Sequence, residues 1–136
     1  MTRSDVLATV AIAVMLSGAV VAQKRPYDVV MKDVGVTFGT LRKTLDSGDL
    51  VSVAADAEKL ERLFKEVEDF WTPFKTKDAI DAARGARDAF TAVAAAAKEK
   101  DAQRARTRVS GIGAICTSCH GSHREQTPDK TYRIKP

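Results

Sequence analysis

Apolar side chains recur at alternating steps of three and four residues along four segments of the chain. This spacing places them on one face of a helix and predicts four amphipathic helices. No segment alternates convincingly with a period of two, so we expect no strand. The four apolar stripes are Met31, Val34, Phe38, Leu41 and Leu45; Leu50, Val53, Ala57, Leu60, Phe64, Val67 and Trp71; Ile80, Ala83, Ala86, Phe90, Val93 and Ala97; and Ala105, Val109, Ile112, Cys116 and Cys119.

Residues typical of helix ends separate the stripes. Pro26 suits the first helical position, where its missing N–H costs nothing. Gly48 favours a left-handed cap at the end of the first helix, and Asp49 then caps the second. Pro73 ends the second helix, and Asp101 is expected to cap the fourth. Four helices with short connections predict an all-α, antiparallel up-down-up-down four-helix bundle.

The predicted domain covers residues 23–126, and residues 127–136 form a polar tail without a functional signal. Within the fourth stripe, Gly111 and Gly113 each cost about 1 kcal/mol relative to alanine. We therefore expect a bulky group to pack against the backbone of this helix.

The first 22 residues have the pattern of a secretory signal peptide. Residues 6–22 are almost entirely apolar, and Lys24 and Arg25 follow directly. Cleavage is expected ahead of Gln23; the alternative is an uncleaved anchor, although the run is short of the roughly 20 residues of a spanning helix. Both interpretations place the domain outside the cytoplasm, and we expect the periplasm. No membrane association is expected unless the signal stays attached.

The charge balance excludes one class of partner. The formal net charge is +4, and removal of Arg3 together with Asp5 leaves it mildly basic, which is too weak to indicate nucleic-acid binding. Arg104, Arg106 and Arg108 do not form a basic patch, because on a helix Arg106 points away from the other two.

Residues 116–120, with the sequence CTSCH, have the C-x-x-C-H form of covalent haem attachment. The thiols of Cys116 and Cys119 are spaced to add to the two haem vinyl groups, and His120 then lies over the iron. These two cysteines are the only ones in the chain. The motif predicts one haem c, attached near the C-terminal end of the fourth helix.

Three other interpretations of the motif are weaker. A redox disulfide of the C-x-x-C type belongs in a βαβ context, which the chain lacks. A zinc site would use Cys116, Cys119, His120 and His123, but these lie within two turns of one helix and cannot surround an ion tetrahedrally. A structural disulfide is compatible with export, but it leaves His120 unexplained.

The second axial position on the iron decides the function. His123 lies on the same side of the porphyrin plane as His120, so it cannot bind opposite to it. Met31 lies on the inner stripe of the first helix, whose start is beside the end of the fourth helix in an antiparallel bundle. A methionine on such a stripe also commonly fills core. Its position alone leaves both roles open.

The order of signal, four helices and C-terminal C-x-x-C-H resembles the class II c-type cytochromes, the cytochrome c prime family. Residues 113–120, GAICTSCH, are similar to the attachment segment of that family, and residues 30–41, VMKDVGVTFGTL, are similar to the first helix of its low-spin branch. The resemblance implies that Met31 binds the iron. In the open-site branch another residue takes that place, and the haem binds nitric oxide or carbon monoxide.

Of three positions near the haem edge, two differ from the residue that is usual in the family and one matches it. Tyr27 stands where the family usually has an arginine, and His123 stands where it usually has a tyrosine. Arg124 matches the family arginine that follows, and the resemblance implies that it contributes to cofactor binding.

We therefore expect single-electron transfer between a redox protein donor and a redox protein acceptor through a His/Met-ligated haem. No acid–base pair stands out among the carboxylates, so we do not expect an enzyme. The oligomeric state stays open between monomer and homodimer. One alternative is a gas-binding cytochrome with an open or displaceable sixth site. Another is a haem-free helical interaction domain held by a disulfide.

Overall fold

The computed structural model describes residues 23–135, and the predicted signal peptide at residues 1–22 lies outside them. This part of the chain is mostly helical, and its helices pack together into a bundle. None of the helices within it is long and apolar enough to cross a membrane. The elements are α1 (Tyr27–Ser47), α2 (Leu50–Trp71), a 3₁₀ turn (Thr72–Phe74), α3 (Lys77–Lys98), α4 (Ala102–Ser110), α5 (Ile112–His123), β1 (Arg124–Gln126) and β2 (Tyr132–Ile134).

The caps that end and begin these helices follow the sequence prediction closely. Gly48 has a φ of 81°, and its N–H donates to the carbonyl of Leu45. The side chain of Asp49 accepts a hydrogen bond from the backbone N–H of Ser52 at 3.1 Å. Asp101 caps α4 in the same way. Pro26 differs from its prediction. We expected it at the first helical position, but it is the N-cap, and Tyr27 is the first helical residue.

The predicted stripes form the core. All of the α2 stripe except Leu50 is buried, and the alanines of α3 allow that helix to pack closely on α2. Met31, Phe38 and Ile80 are partly buried at the edge of this core. The largest fully buried side chains are Trp71, Phe90, Leu41, Leu60, Ile112, Val53 and Val93.

Two polar side chains of residues 23–135 lie within the core. The carboxylate of Glu68 on α2 accepts hydrogen bonds from Arg84 Nε and Arg87 Nη1 of α3, each at 2.8 Å. These contacts satisfy a charge that would otherwise be costly to bury. The hydroxyl of Thr37 on α1 is buried without a hydrogen-bond partner among residues 23–135.

The predicted fourth helix is divided in the structure. Gly111 separates α4 from α5, which is consistent with the weak helix propensity of glycine. No side chain among residues 23–135 packs closely against the two glycines: a Cβ at Gly113 would meet no atom within 4 Å, and one at Gly111 would meet the carbonyl of Arg108 at 3.9 Å. The expectation of a bulky group at this helix stays a prediction.

The expectation of no strand was wrong. Arg124–Gln126 and Tyr132–Ile134 pair as a short antiparallel hairpin directly after α5. The second strand therefore lies within the segment that we predicted as a polar tail. Three-residue strands of mainly exposed side chains carry almost no alternation of apolar and polar positions, which is the pattern that reveals strands in a sequence.

Candidate haem-attachment site

Helix α5 carries the C-x-x-C-H motif and packs mainly on α3. Cys116 and Cys119 are three residues apart, so they lie on the same face of the helix, one turn from each other. His120 follows on the same side, and all three side chains are partly exposed. The local fold thus presents two thiols and an imidazole together towards neighbouring helices.

These three side chains line one cleft, and Met31 of α1 lines it as well. The remaining walls are almost entirely apolar. The cleft has about 30 Å³ of space, which is room for about two water molecules. Helices α1 and α5, which both contribute to the cleft, scarcely touch each other. The other lining residues are Tyr27, Phe64, Val67, Ala79, Ala82, Ala83 and Ile115.

Both cysteines are free thiols in the structure. Burial raises the pKa of Cys116 and of Cys119 above the ordinary value, and the negative charge of Asp78 adds to the effect at Cys119. A thiol with a raised pKa stays protonated at neutral pH and reacts slowly with oxidants. The pair therefore lacks the lowered pKa that typifies redox-active C-x-x-C motifs.

His120 is suited to act as a neutral ligand. Burial lowers its pKa, and the positive charge of Arg124 lowers it further. The ordinary pKa of histidine is about 6.5, so a lower value leaves the ring uncharged at neutral pH. An uncharged imidazole has a nitrogen lone pair available for a metal.

Tyr27 joins the cleft to the interior of the bundle, a role that the sequence did not reveal. Its hydroxyl accepts a hydrogen bond from Trp71 Nε1 at 3.0 Å, and its ring stacks on Phe70 with centroids 4.1 Å apart. Burial raises the pKa of its phenol. The sequence signals were its position four residues before Met31, on the same helical face, and its correspondence to a family position near the haem edge.

His123 does not line the cleft. Its Nε2 lies 2.8 Å from Asp78 Oδ2, and its Nδ1 lies 3.0 Å from the carbonyl oxygen of Lys135. The ring also packs against Trp71, with centroids 4.9 Å apart. His123 therefore connects the end of α5 to the start of α3 and to the C-terminal hairpin.

Arg124 also lies outside the cleft lining. It begins β1, is exposed, and holds its guanidinium 4.1 Å from the centre of the Tyr132 ring. Its link to the cleft is the effect of its charge on the pKa of His120. The structure thus brings Met31, Cys116, Cys119 and His120 together, and it does not place Arg124 with them.

The chemistry of these four side chains fits a covalently attached haem. Two thiols would serve for attachment, and an imidazole and a thioether would bind the iron. A bare metal ion fits less well, because residues 23–135 contain no group of three His, Cys, Asp or Glu side chains arranged to hold one. Comparisons of the chain with protein-family models, with curated proteins and with solved structures give no match.

Proposed function

We propose that this protein is a monohaem c-type cytochrome that transfers single electrons in the periplasm. The observation that carries the proposal is that Met31 lines the same cleft as Cys116, Cys119 and His120. A C-x-x-C-H motif alone is a short pattern. Met31, which comes from the first helix, lines the same cleft as this motif. It would supply the second protein ligand that an electron-transfer haem needs.

Each of the four side chains has one role in this proposal. Cys116 and Cys119 hold the porphyrin through thioether bonds, and His120 and Met31 bind the iron. When bound, the haem supplies an iron centre that gains and loses one electron. The protein is not expected to act as an enzyme, and its partners are a redox protein donor and a redox protein acceptor.

The environment of the cleft favours electron transfer over ligand exchange. Phe64, Val67 and Ile115 provide apolar walls that limit the access of water. A methionine thioether is a soft ligand that favours the reduced metal and raises its potential. Because His120 and Met31 would both bind the iron, no ligand would have to bind or leave when an electron moves.

The finer topology belongs to the same proposal. The helices run antiparallel, up-down-up-down, and the haem lies near the C-terminal end of the last helix. The two-residue connection at Gly48 and Asp49 supports an antiparallel first pair. The scarcity of contacts between α1 and α5 supports the location of the haem, since these helices can part without dismantling the α2–α3 core.

The test is an absorption spectrum of protein expressed with the haem-attachment machinery. It is recorded in the ferric and ferrous states, before and after addition of carbon monoxide. We expect a low-spin spectrum with the weak far-red sulfur-to-iron band and no change with the gas. A high-spin spectrum that shifts with carbon monoxide would instead establish the gas-binding alternative.

A second measurement addresses the haem-free alternative. The chain is expressed without the attachment machinery, and its helical content and stability are measured by circular dichroism. A stable, colourless helical protein under both expression conditions would contradict the cytochrome proposal. Reduced folding without haem would support it.

A further inference from the structure

A chain of aromatic rings leads from the cleft to the surface. Tyr27 lines the cleft and accepts the hydrogen bond of Trp71 Nε1 at 3.0 Å. The Trp71 ring lies 6.1 Å from the ring of Phe74, centre to centre. Trp71 is 1 % exposed, whereas Phe74 is 54 % exposed. A buried indole therefore links a residue of the cleft to an aromatic ring in solvent.

The rings are held in place by their neighbours. Phe70 contacts all three, with centroid distances of 4.1 Å to Tyr27, 5.3 Å to Trp71 and 5.4 Å to Phe74. On the other side, His123 packs against Trp71 at 4.9 Å. A rigid, water-excluding cluster undergoes little rearrangement when charge moves past it.

Lysines lie close in sequence to Phe74, the exposed ring of this series, at positions 75 and 77. Lys75 directly follows Phe74 and has a positive φ of 56°, which is uncommon for a residue other than glycine. Lys135 is connected to the Trp71 side of the cluster, because its backbone bonds to His123, whose ring packs against Trp71. Among residues 23–135, none of the ion pairs involves Lys75 or Lys135.

The carboxylates of this region are already engaged. Asp78 bonds to His123, and Asp81 pairs with Lys77, whose side chain remains 86 % exposed. The surface thus presents an apolar ring with cationic groups at its rim. This combination resembles the apolar centre and polar rim of protein interfaces, in which aromatic residues commonly anchor the partner.

We propose that this surface docks a redox protein with an acidic face, and that electrons cross through Trp71 and Tyr27. The proposal rests on the cytochrome function proposed above. In the reducing direction the partner loses one electron and the ferric iron gains it, and no bond or proton is exchanged. The proposed docking surface comprises Phe74, Lys75, Lys77 and Lys135.

The physical reason is the steep decay of electron tunnelling with distance. A partner seated on Phe74 would be connected to the cleft by rings in contact and one hydrogen bond. The cationic rim would attract an acidic partner and speed its encounter. Another exposed apolar side chain, Val51, lacks this connection to the cleft. It is 84 % exposed, but it lies at the start of α2, at the opposite end of that helix from Trp71.

Binding is tested with hexacyanochromate(III), an inert paramagnetic anion that represents the acidic face. It is added to isotope-labelled holoprotein, and the broadening of amide signals is measured by NMR. We expect broadening near Lys75 and Lys135 that is lost in the double variant Lys75→Glu/Lys135→Glu, with no broadening near Val51. Equal broadening at both ends of α2 would overturn the proposal.

The electron route is tested by stopped-flow reduction of ferric holoprotein with ascorbate, an anionic reductant. We expect Phe74→Ala to slow the reduction several-fold, whereas Val51→Ala leaves the rate unchanged. Trp71→Phe keeps a ring but loses the hydrogen bond to Tyr27, and it should slow reduction without altering the hexacyanochromate broadening. If that variant fails to fold, Tyr27→Phe removes the same hydrogen bond from its other end.

The two proposals fail in different ways. Every variant is first compared with the wild type for haem content and low-spin absorption. Absence of attached haem in the wild type would contradict the cytochrome function. Normal haem in all variants, with equal reduction rates for Phe74→Ala and Val51→Ala, would contradict only the docking proposal.

Discussion

Met31 and His120 line the same cleft, although one lies on the first helix and the other on the last. This relationship predicts the effect of removing the thioether. Met31→Leu preserves an apolar side chain of similar size, so we expect the fold to tolerate it. With the sulfur gone, the ferric spectrum should become high-spin and the ferrous form should bind carbon monoxide.

Phe38→Leu provides the control for this change. Phe38 is also a partly buried residue of α1, but it does not line the cleft. Its substitution should leave the absorption spectrum low-spin. An unchanged spectrum in Met31→Leu would show that Met31 only fills space.

The proposed attachment through Cys116 and Cys119 predicts how much haem stays covalently bound when each cysteine is replaced. Cys116→Ser and Cys119→Ser should each leave one thioether bond, and the double variant should leave none. Extraction with acidified organic solvent, followed by absorption of both phases, measures the covalent fraction. Thr117→Ala is the control, because Thr117 is exposed and its hydroxyl bonds only to the carbonyl of Gly113. Retention of covalent haem in the double variant would exclude these attachment points.

Glu68 is expected to stabilise the pairing of α2 with α3. Glu68→Gln weakens two charged hydrogen bonds to arginine, and we expect it to lower the free energy of unfolding by about 1–3 kcal/mol. Chemical denaturation followed by circular dichroism measures the loss. Glu61→Gln on the same helix is the control and should change stability by less than about 0.5 kcal/mol. Equal effects of the two substitutions would count against a stabilising role of these ion pairs.

The buried hydroxyl of Thr37 predicts a stabilising substitution. It is desolvated without a hydrogen-bond partner among the described residues, so Thr37→Val should raise the free energy of unfolding by about 1 kcal/mol or more. Thr40→Val provides the comparison, because its exposed hydroxyl bonds to the carbonyl of Val36. No gain in Thr37→Val over Thr40→Val, measured by thermal unfolding, would contradict this assignment.

The contact between Asp78 and His123 predicts an acid-sensitive connection to the C-terminal hairpin. The hydrogen bond from His123 lowers the pKa of Asp78 below its ordinary value. The stabilisation is therefore present above the pKa of the unfolded carboxyl group and is lost as the pH falls through the lowered, folded value. Asp78→Asn should remove this part of the acid dependence.

Hydrogen exchange of the hairpin amides, measured against pH, checks the prediction. In the wild type, protection should fall in acid, whereas in Asp78→Asn it should be low throughout and depend less on pH. Asp69→Asn is a control on α2, where the carboxylate pairs with Lys65 away from the hairpin. An identical pH dependence in wild type and Asp78→Asn would exclude the contact as its cause.

The sequence by itself determined the features that depend on near neighbours in the chain. The stripe from Val53 to Trp71 is buried as its spacing predicted, since helical periodicity is set within a few residues. Gly48, Asp49 and Asp101 cap their helices because each acts on backbone groups within one turn. The spacing of Cys116, Cys119 and His120 is likewise local, so the motif and its chemistry were visible before the fold.

Only the tertiary structure decided which distant groups meet. Met31 was equally compatible with core and cleft until the fold placed it in the lining of the same cleft as His120. The hydrogen bond of Tyr27 to Trp71 and that of His123 to Asp78 join residues on different helices, and no local pattern encodes them. The break at Gly111 and the hairpin also depend on packing, because the local propensities there are too weak to determine the backbone.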